Sequence, residues 1–200
     1  MIGRIALLAA ALLLPSAAQA QKLDETPRTV VMTAFPPEWN ALAHAVEGQT
    51  NYTINGLPFT TGTMAGKPVV LMQSGVSIVN AAMNTQLVLD RFTVKRIVFS
   101  GIAGGVDPAL SIGDVIVPED WGQYLEAAFA RKTPRGWKPP ENSGPDAPAN
   151  WAFIFPRGTT VSTAATPRKR LFRIPMDPAL LDLARKVVPG VALERCVAGS

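Results

Sequence analysis

The chain has 200 residues, 48% of them hydrophobic, and its 19 basic and 15 acidic residues give a formal charge of +4 at pH 7. This charge is too small to indicate a nucleic-acid partner. Cys196 is the only cysteine and His44 the only histidine, which excludes an internal disulfide, a cysteine-based metal site and a multi-histidine zinc cluster. We therefore expect an ordinary apolar core, no metal and no cofactor.

The first twenty residues have the pattern of a secretory signal. Arg4 is followed by an apolar run over residues 5–14 and by the small-residue triplet Ala18-Gln19-Ala20. This run is shorter than the roughly 20 apolar residues that a membrane-spanning helix needs. The pattern predicts cleavage after Ala20 and export to the periplasm or the medium. No later stretch is long and apolar enough to span a membrane, so we expect no membrane association after signal removal.

The next segment predicts a strand, a turn and a helix. Residues 29–35, TVVMTAF, form an apolar and β-branched run that stops at Pro36-Pro37. Apolar residues recur at helical spacing over residues 38–46, so Glu38 is expected at a helix N-terminus, where the dipole favours its carboxylate. An acid at such a position is more often a helix cap than a catalytic group.

Short β-like runs and a second helix follow. Two turn pairs, Asn55-Gly56 and Ala65-Gly66, separate runs over residues 52–54, 57–64 and 68–73 and predict hairpins. A helix is expected over residues 78–92 and a strand over residues 96–100. The order of these elements predicts a β-meander between two strand-helix units.

Residues 99–117 read FSGIAGGVDPALSIGDVIV. The pattern predicts a strand, a turn with Gly101, Gly104 and Gly105, a polar loop, and a second apolar strand at GDVIV. A glycine-rich turn at a strand end can hold a phosphate, admit the edge of a substrate, or only change the chain direction. The surrounding residues must decide between these uses.

The last part of the chain changes in character. Residues 131–170 are rich in proline, glycine and small polar residues and predict a surface insertion, because they hold too few apolar residues for a second core. Asp177 and Pro178 then predict the start of a helix that runs to Val188, where Pro189-Gly190 ends it. Residues 191–198 predict a further buried strand.

These elements predict an α/β fold, a three-layer α/β/α sandwich around a mixed β-sheet that binds ligands at the carboxyl ends of its strands. We expect a signal peptide over residues 1–20 and a single domain over residues 21–200. A buried last strand with no returning helix leaves one sheet face uncovered. We therefore expect the domain to be incomplete, truncated at the C-terminus.

Several motifs together resemble the nucleoside phosphorylase and nucleosidase superfamily, and within it the 5′-methylthioadenosine/S-adenosylhomocysteine nucleosidases. They are the alanine and the acid after the first strand, Ser74-Gly75 before a helix, and SGIAGG followed by GDVIVP. The resemblance covers about residues 29–129 and resumes over residues 172–200. It implies the same α/β/α fold, a homodimer, and a small-molecule purine nucleoside as the partner.

The resemblance also implies roles for individual residues. Glu38 matches the acid that activates the hydrolytic water, and Phe35 matches an apolar residue on the ribose side of the pocket. Ala103 and Gly104 match the turn that packs beside the sugar and the base. Ile102 stands where these nucleosidases usually have a serine that helps to order the water, so this chain departs from the family pattern there.

Charge favours water over phosphate as the acceptor of the sugar. A phosphate dianion is costly to desolvate without cationic or hydroxyl donors. The positions before and within the turn, Phe99, Ser100 and Ile102, offer no cation and one hydroxyl, and Glu38 would repel the dianion. The reaction implied is hydrolysis of an N-glycosidic bond through an oxocarbenium-like state. A phosphate-dependent phosphorylase and an exported nucleoside-binding protein without turnover remain alternatives.

The resemblance also implies groups that these 200 residues do not contain. The aspartate that protonates the leaving purine and the Met-Glu pair that binds the ribose are expected beyond Ser200. The chain would then hold the water-activating half of a site without the half that binds base and ribose. We therefore expect the 200 residues alone to be inactive.

Overall fold

The computed structural model describes residues 21–123, 126–138, 140, 154–164 and 166–193. The chain divides into two compact units, Met1–Gly104 and Gly105–Ser200, and each is described by itself. The elements of the first unit are β1 (Asp24–Thr33), α1 (Pro36–Ala43), β2 (Glu47–Ile54), β3 (Leu57–Met64), β4 (Lys67–Gln73), α2 (Ile78–Arg91) and β5 (Phe92–Phe99). Those of the second are β6 (Asp120–Gly122), β7 (Ala127–Phe129), β8 (Arg131–Thr133), β9 (Gly136–Lys138), β10 (Ile154–Pro156), β11 (Thr159–Thr163), β12 (Thr166–Leu171), β13 (Arg173–Pro175) and α3 (Pro178–Val187).

The first unit is built on a five-stranded sheet with the strand order β2-β3-β4-β1-β5. β1 is parallel to both of its neighbours, with Val30 opposite Val70 of β4 and Ile97 of β5. The strands β2, β3 and β4 form an antiparallel meander. The sheet is therefore mixed, as the sequence predicted.

Two tight turns form the meander. Asn55 and Gly56 have φ angles of 52° and 79°, and Ala65 and Gly66 have φ angles of 47° and 69°. Two central residues with positive φ are typical of the turns whose twist matches a two-residue hairpin. Both hairpin predictions are confirmed.

Helices cover both faces of this sheet. One face packs with Val88 of α2 in a cluster that also contains Val30, Met32, Ile54, Phe59, Val70, Met72 and Phe92. The opposite face packs with Trp39 and Leu42 of α1, and its buried members are Val31, Val46, Val69 and Leu71. Alternate residues of each strand point to opposite faces, so one apolar run supplies both clusters. The predicted α/β fold with helices on both sides of a mixed sheet is confirmed.

An ion pair at the start of β1 lies mostly out of solvent. Nε of Arg28 donates to Oδ2 of Asp24 at 2.6 Å, and Nη1 of Arg28 donates to the carbonyl of Gly62 at 2.9 Å. The side chains of Arg28 and Asp24 are only 14% and 13% exposed. The pair therefore ties β1 to β3 as well as neutralising two charges at the edge of the core.

The second unit consists of short antiparallel strand pairs and α3. The pairs are β6 with β13, β7 with β10, β8 with β9, and β11 with β12. The carboxylate of Asp177 accepts from the N–H of Leu180 at 3.0 Å, and Pro178 occupies the first turn, so α3 begins as predicted. The described parts of the predicted insertion, residues 131–170, contain β8 to β12.

Two strand predictions fail in the second unit. GDVIV is not a strand: Val115, Ile116 and Val117 are 71%, 60% and 47% exposed and belong to none of the described strand pairs. Without a neighbouring strand, their backbone groups form no ladder, and apolar content alone does not make a strand. Residues 191–193 are also not a strand. The rest of that predicted strand, like the predicted signal peptide, lies outside the described residues.

Candidate active site

Glu38 lies at the beginning of α1, close to the carboxyl end of β1. β1 ends at Thr33, and Phe35 has an extended backbone with φ −153° and ψ 170° that places it as the N-cap of the helix. Pro36 and Pro37 occupy the first two helical positions. In any helix the N–H groups at these positions have no carbonyl partner within the helix, so proline loses no hydrogen bond there. Glu38 is thus the third helical residue, from which a side chain reaches back over the strand end.

The carboxylate of Glu38 accepts three backbone hydrogen bonds. Oε2 accepts from the N–H of Ala34 at 2.6 Å and from the N–H of Phe35 at 3.3 Å. Oε1 accepts from the N–H of Ile102 at 2.9 Å, on the loop after β5. One side chain therefore caps its own helix and also joins the ends of two neighbouring strands.

These bonds continue the hydrogen-bond ladder between β1 and β5. The last ladder bond runs from the N–H of Ser100 to the carbonyl of Met32 at 2.9 Å. If the parallel ladder continued past β5, its next donor would be two residues further on, at Ile102, and the partner would be a backbone carbonyl on the β1 side. The carboxylate of Glu38 takes the place of that carbonyl. It therefore lies between the two strands, where they separate.

This arrangement leaves Glu38 able to act on a small molecule. Each carboxylate oxygen can accept about two hydrogen bonds, and Oε1 receives one from the described part of the chain. Glu38 is half-buried, so its second acceptor site on Oε1 can take a proton from a water or hydroxyl group in the crevice. All three protein donors are neutral backbone groups, and none is a cation.

The other predicted site residues lie around this carboxylate. Phe35 is half-buried and is next to Glu38 through its N–H. Ile102 contacts Glu38 through its backbone, while its side chain is 79% exposed. Ala103 and Gly104 follow on the same loop and are both exposed, and the space beside Gly104 is open. The structure thus brings Phe35, Glu38 and Ile102 together, whereas Ala103 and Gly104 are exposed on the loop that follows.

Sequence reasoning missed the part played by the main chain. The N–H of Ala34 makes the shortest of the three bonds to Glu38, and Gly101 lies against the carboxylate. A backbone donor has no signature in its side chain, so Ala34 was not predictable as a contact. Gly101 did carry a signal, because it directly precedes Ile102 in the glycine-rich motif.

Within the described ranges, no group of three or more His, Cys, Asp or Glu side chains is placed to hold a metal ion. In the same part of the chain, no helix is long and apolar enough to cross a membrane.

The sequence model of one protein family, described as the phosphorylase superfamily, matches residues 28–197. That match covers most of the chain and both of its units.

Individual relatives match a shorter stretch. The 5′-methylthioadenosine/S-adenosylhomocysteine nucleosidase of Bacillus thuringiensis is 37% identical over 90 residues, which are 45% of this chain and 39% of that protein. A nucleosidase of the same name from Bacillus cereus is 36% identical over the same length. The aligned part of the chain thus spans well under half the length of these curated relatives.

Solved structures share the fold. The corresponding nucleosidase of Neisseria meningitidis, in complex with methylthio-immucillin-A, aligns with a TM-score of 0.57 at 21% identity, over 82% of this chain and 58% of its own. A futalosine hydrolase mutant of Helicobacter pylori aligns with a TM-score of 0.58 at 17% identity, over 83% of this chain and 62% of its own. At these identities the likeness concerns the fold.

Proposed function

Because the chain belongs to the phosphorylase superfamily, we propose that it forms part of a nucleosidase that hydrolyses the N-glycosidic bond of a purine nucleoside. The observation that carries the proposal is the carboxylate of Glu38 at the carboxyl ends of β1 and β5. It is held by the N–H groups of Ala34, Phe35 and Ile102, and it keeps an acceptor site for water. Ligands of open α/β sheets bind in this crevice.

In the proposed reaction, a water molecule attacks the anomeric carbon of the ribose as the bond to the purine breaks. The water gives a proton to Glu38, and the electron pair of the broken bond goes to the purine nitrogen, which a second acid protonates. The products are the free sugar and the free base. Glu38 is the base, and Phe35, Ala103 and Gly104 line the sugar and the purine.

Water is the acceptor that this site favours. A phosphate dianion in the crevice would face the carboxylate of Glu38, and like charges in a half-buried site repel strongly. The protein groups that hold Glu38 are neutral amides, so they would not offset a second anion. A nucleoside is neutral at its sugar and meets no such barrier.

The proposed substrate is 5′-methylthioadenosine or S-adenosylhomocysteine. The curated relatives from Bacillus carry both compounds in their name. The structure from Neisseria meningitidis is a complex with methylthio-immucillin-A, and one from Colwellia psychrerythraea is a complex with adenine. An adenine base and a 5′-thio substituent are therefore the features to vary first in an assay.

Adenine release with and without phosphate tests the proposal. The protein to assay is the longest in-frame product that contains these 200 residues, with 5′-methylthioadenosine as substrate. We expect release that does not depend on phosphate and that falls by about 10²–10⁴-fold in Glu38→Gln. Glu47→Gln, a change at an exposed position of β2, is the matched control and should keep the rate.

Two other results would replace this proposal. Release of ribose 1-phosphate that requires phosphate would identify a phosphorylase. Binding of the nucleoside without turnover would identify a nucleoside-binding protein, a function that Ile102 favours because it removes the hydroxyl with which the nucleosidases order the water. In that case the variant to assay is Ile102→Ser, which restores this hydroxyl.

We further propose that the chain is exported and that it forms a homodimer. The signal pattern before Gln21 supports export. The homodimer is supported by exposed apolar side chains at the start of α2: Val79 and Met83, one turn apart on the helix, are 66% and 63% exposed, and Val76, just before the helix, is 69% exposed. Exposed apolar groups at helical spacing mark a surface that another molecule can cover. Light scattering of the purified protein should give the mass of a dimer, and Val79→Lys should give a monomer.

A further inference from the structure

The three glycines of the turn after β5 differ in their surroundings. A Cβ atom added at Gly101 would lie 2.7 Å from Oε1 of Glu38 and 3.1 Å from its Cδ. At Gly104 it would meet nothing within 4 Å, and at Gly105 it would make an ordinary contact with Leu110. Of these three, only at Gly101 would an added Cβ atom force a neighbour, the carboxylate of Glu38, to move.

The backbone of Gly101 gives no other reason for glycine at this position. The described glycines with a positive φ angle are Gly48, Gly56, Gly66, Gly75, Gly113 and Gly136, and Gly101 is not among them. An L-residue at 101 would therefore avoid the strain of the left-handed region. What a side chain at 101 would meet is the carboxylate of Glu38.

We propose that Gly101 is a positioning residue for Glu38. With no side chain at 101, the carboxylate lies against the main chain between β1 and β5 and reaches the N–H of Ile102. A methyl group at 101 would displace Oε1 first, because Oε1 is the nearest atom, whereas Oε2 would be 3.1 Å away. The bond from Ile102 would then be lost before the bonds from Ala34 and Phe35.

The catalytic meaning of this contact rests on the proposed function. A displaced carboxylate lowers the rate of hydrolysis only if Glu38 is the base. The contact itself needs no substrate, so it can be measured in the 200-residue chain whether or not that chain turns over a nucleoside.

Amide hydrogen exchange, followed by NMR, measures the contact. The N–H groups of Ser100 and Ile102 are two residues apart, and they donate to Met32 and Glu38 respectively. We expect Gly101→Ala to accelerate exchange at Ile102 by about tenfold or more, as expected for the loss of a hydrogen bond to a charged group. Exchange at Ser100 should stay within about twofold. In the matched control, Gly105→Ala, both amides should keep their protection.

Two results would overturn the proposal. Unchanged exchange at Ile102 would mean that the carboxylate tolerates a methyl group at 101. Equal acceleration at Ser100 and Ile102 would mean that alanine only loosens the loop. If Gly101→Ala does not fold, the double variant Gly101→Ala/Glu38→Ala decides: folding restored by removal of the carboxylate supports the contact, and a double variant that also fails to fold refutes it.

The exchange experiment is independent of the assay for adenine. Suppose that Gly101→Ala accelerates amide exchange at Ile102 alone and that the in-frame product releases no adenine. The proposal for Gly101 would then stand, and the proposed nucleosidase activity would be refuted. Phosphate-independent release together with unchanged exchange would do the reverse.

Discussion

Oε1 of Glu38 lies 2.9 Å from the backbone nitrogen of Ile102, 64 residues further along the chain. The bond joins the first turn of α1 to the loop after β5 and continues the ladder that ends at the bond from Ser100 to Met32. A side chain here performs the work of a backbone carbonyl. It accepts hydrogen bonds from N–H groups before the helix and after the two strands, and it keeps one acceptor site for a ligand.

These three hydrogen bonds predict that Glu38 contributes to stability, independently of the catalytic role proposed for it. In Glu38→Gln, one of the two terminal atoms becomes an NH₂ group, which cannot accept from Ala34, Phe35 or Ile102. We expect the free energy of unfolding to fall by about 1–3 kcal/mol. Urea denaturation measures it, with Glu47→Gln as the exposed control, and an unchanged midpoint for Glu38→Gln would contradict the hydrogen bonds described.

A second prediction concerns the hydroxyl of Thr33, at the end of β1. Thr33 is fully buried, and its Oγ1 has no hydrogen-bond partner in the described part of the chain. Thr33→Val replaces this hydroxyl by a methyl group of similar size, so we expect an increase in the free energy of unfolding of about 1 kcal/mol.

Thr60 provides the matched control for Thr33→Val. It is 5% exposed, and its hydroxyl donates to Oδ1 of Asn51 at 2.7 Å. Thr60→Val removes a satisfied hydrogen bond and should therefore destabilise the protein. Thermal or urea denaturation of both variants should give shifts of opposite sign, and a destabilised Thr33→Val would show that its hydroxyl has a partner.

Local sequence patterns predicted the first unit well. The pairs Asn55-Gly56 and Ala65-Gly66 each specify a turn within two residues, and the nearly unbroken apolar runs VVMT and VVLM indicate strands buried on both faces. The predicted starts of β1 and β2 were late, because polar residues such as those of Glu47–Ile54 form strands through pairing with a neighbour. Where a strand begins or ends thus depends on the neighbouring strand it pairs with, which the local sequence does not specify.

The candidate site was predictable in its side chains and not in its main-chain contacts. Phe35 is the last residue of the predicted strand and Glu38 follows the two prolines that end it, and this pattern placed both residues at a crevice. The bond to Ile102 crosses 64 residues and depends on the pairing of β1 with β5, which no local pattern specifies. For the same reason the strand prediction for GDVIV was wrong, since its apolar residues would form a strand only beside another strand.

A third prediction concerns Gly62 in β3. A Cβ atom there would overlap the carbonyl oxygen of Glu47 and lie 2.6 Å from Cγ1 of Val46. Gly62→Ala should therefore separate β2 from β3 and lower the free energy of unfolding by about 1–3 kcal/mol. Gly190→Ala is the control, because nothing lies within 4 Å of the added atom. Equal urea midpoints for the two variants would contradict the close approach at Gly62.

A fourth prediction concerns export. Directly after the predicted cleavage site, Nζ of Lys22 donates to the carbonyl of Phe92 at 2.8 Å, and the N–H of Leu23 donates to that of Arg91 at 2.8 Å. Cleavage after Ala20 leaves these anchors intact. Because the pattern of residues 1–20 predicts a signal peptide, expression of the 200 residues in a bacterium should give a periplasmic product whose mass corresponds to a chain beginning at Gln21. Replacing Ala18 and Ala20 by leucine should block cleavage.

A fifth prediction follows from the ion pair of Asp24 with Arg28. Partial burial tends to raise the pKa of the Asp24 carboxyl, but hydrogen bonds from Thr26 and Arg28 and the charge of Arg28 outweigh this and hold the pKa below its usual value of 3.8. A carboxyl group whose pKa is lower in the folded protein than in the unfolded chain stabilises the protein at pH values above its pKa in the unfolded chain. This stabilisation is therefore complete at neutral pH and is lost as the pH falls below about 4 towards the folded pKa.

Asp24→Asn tests this pH dependence. The variant should be less stable than the unmodified chain by about 1–2 kcal/mol at pH 6, because Arg28 loses its charged partner while both side chains remain mostly buried. The difference between the two proteins should shrink as the pH falls from 4 to about 2.5, since protonation of Asp24 removes the same charge. Urea midpoints across this range measure the difference. A gap that stays constant with pH would show that packing, and not the charge on Asp24, stabilises the start of β1.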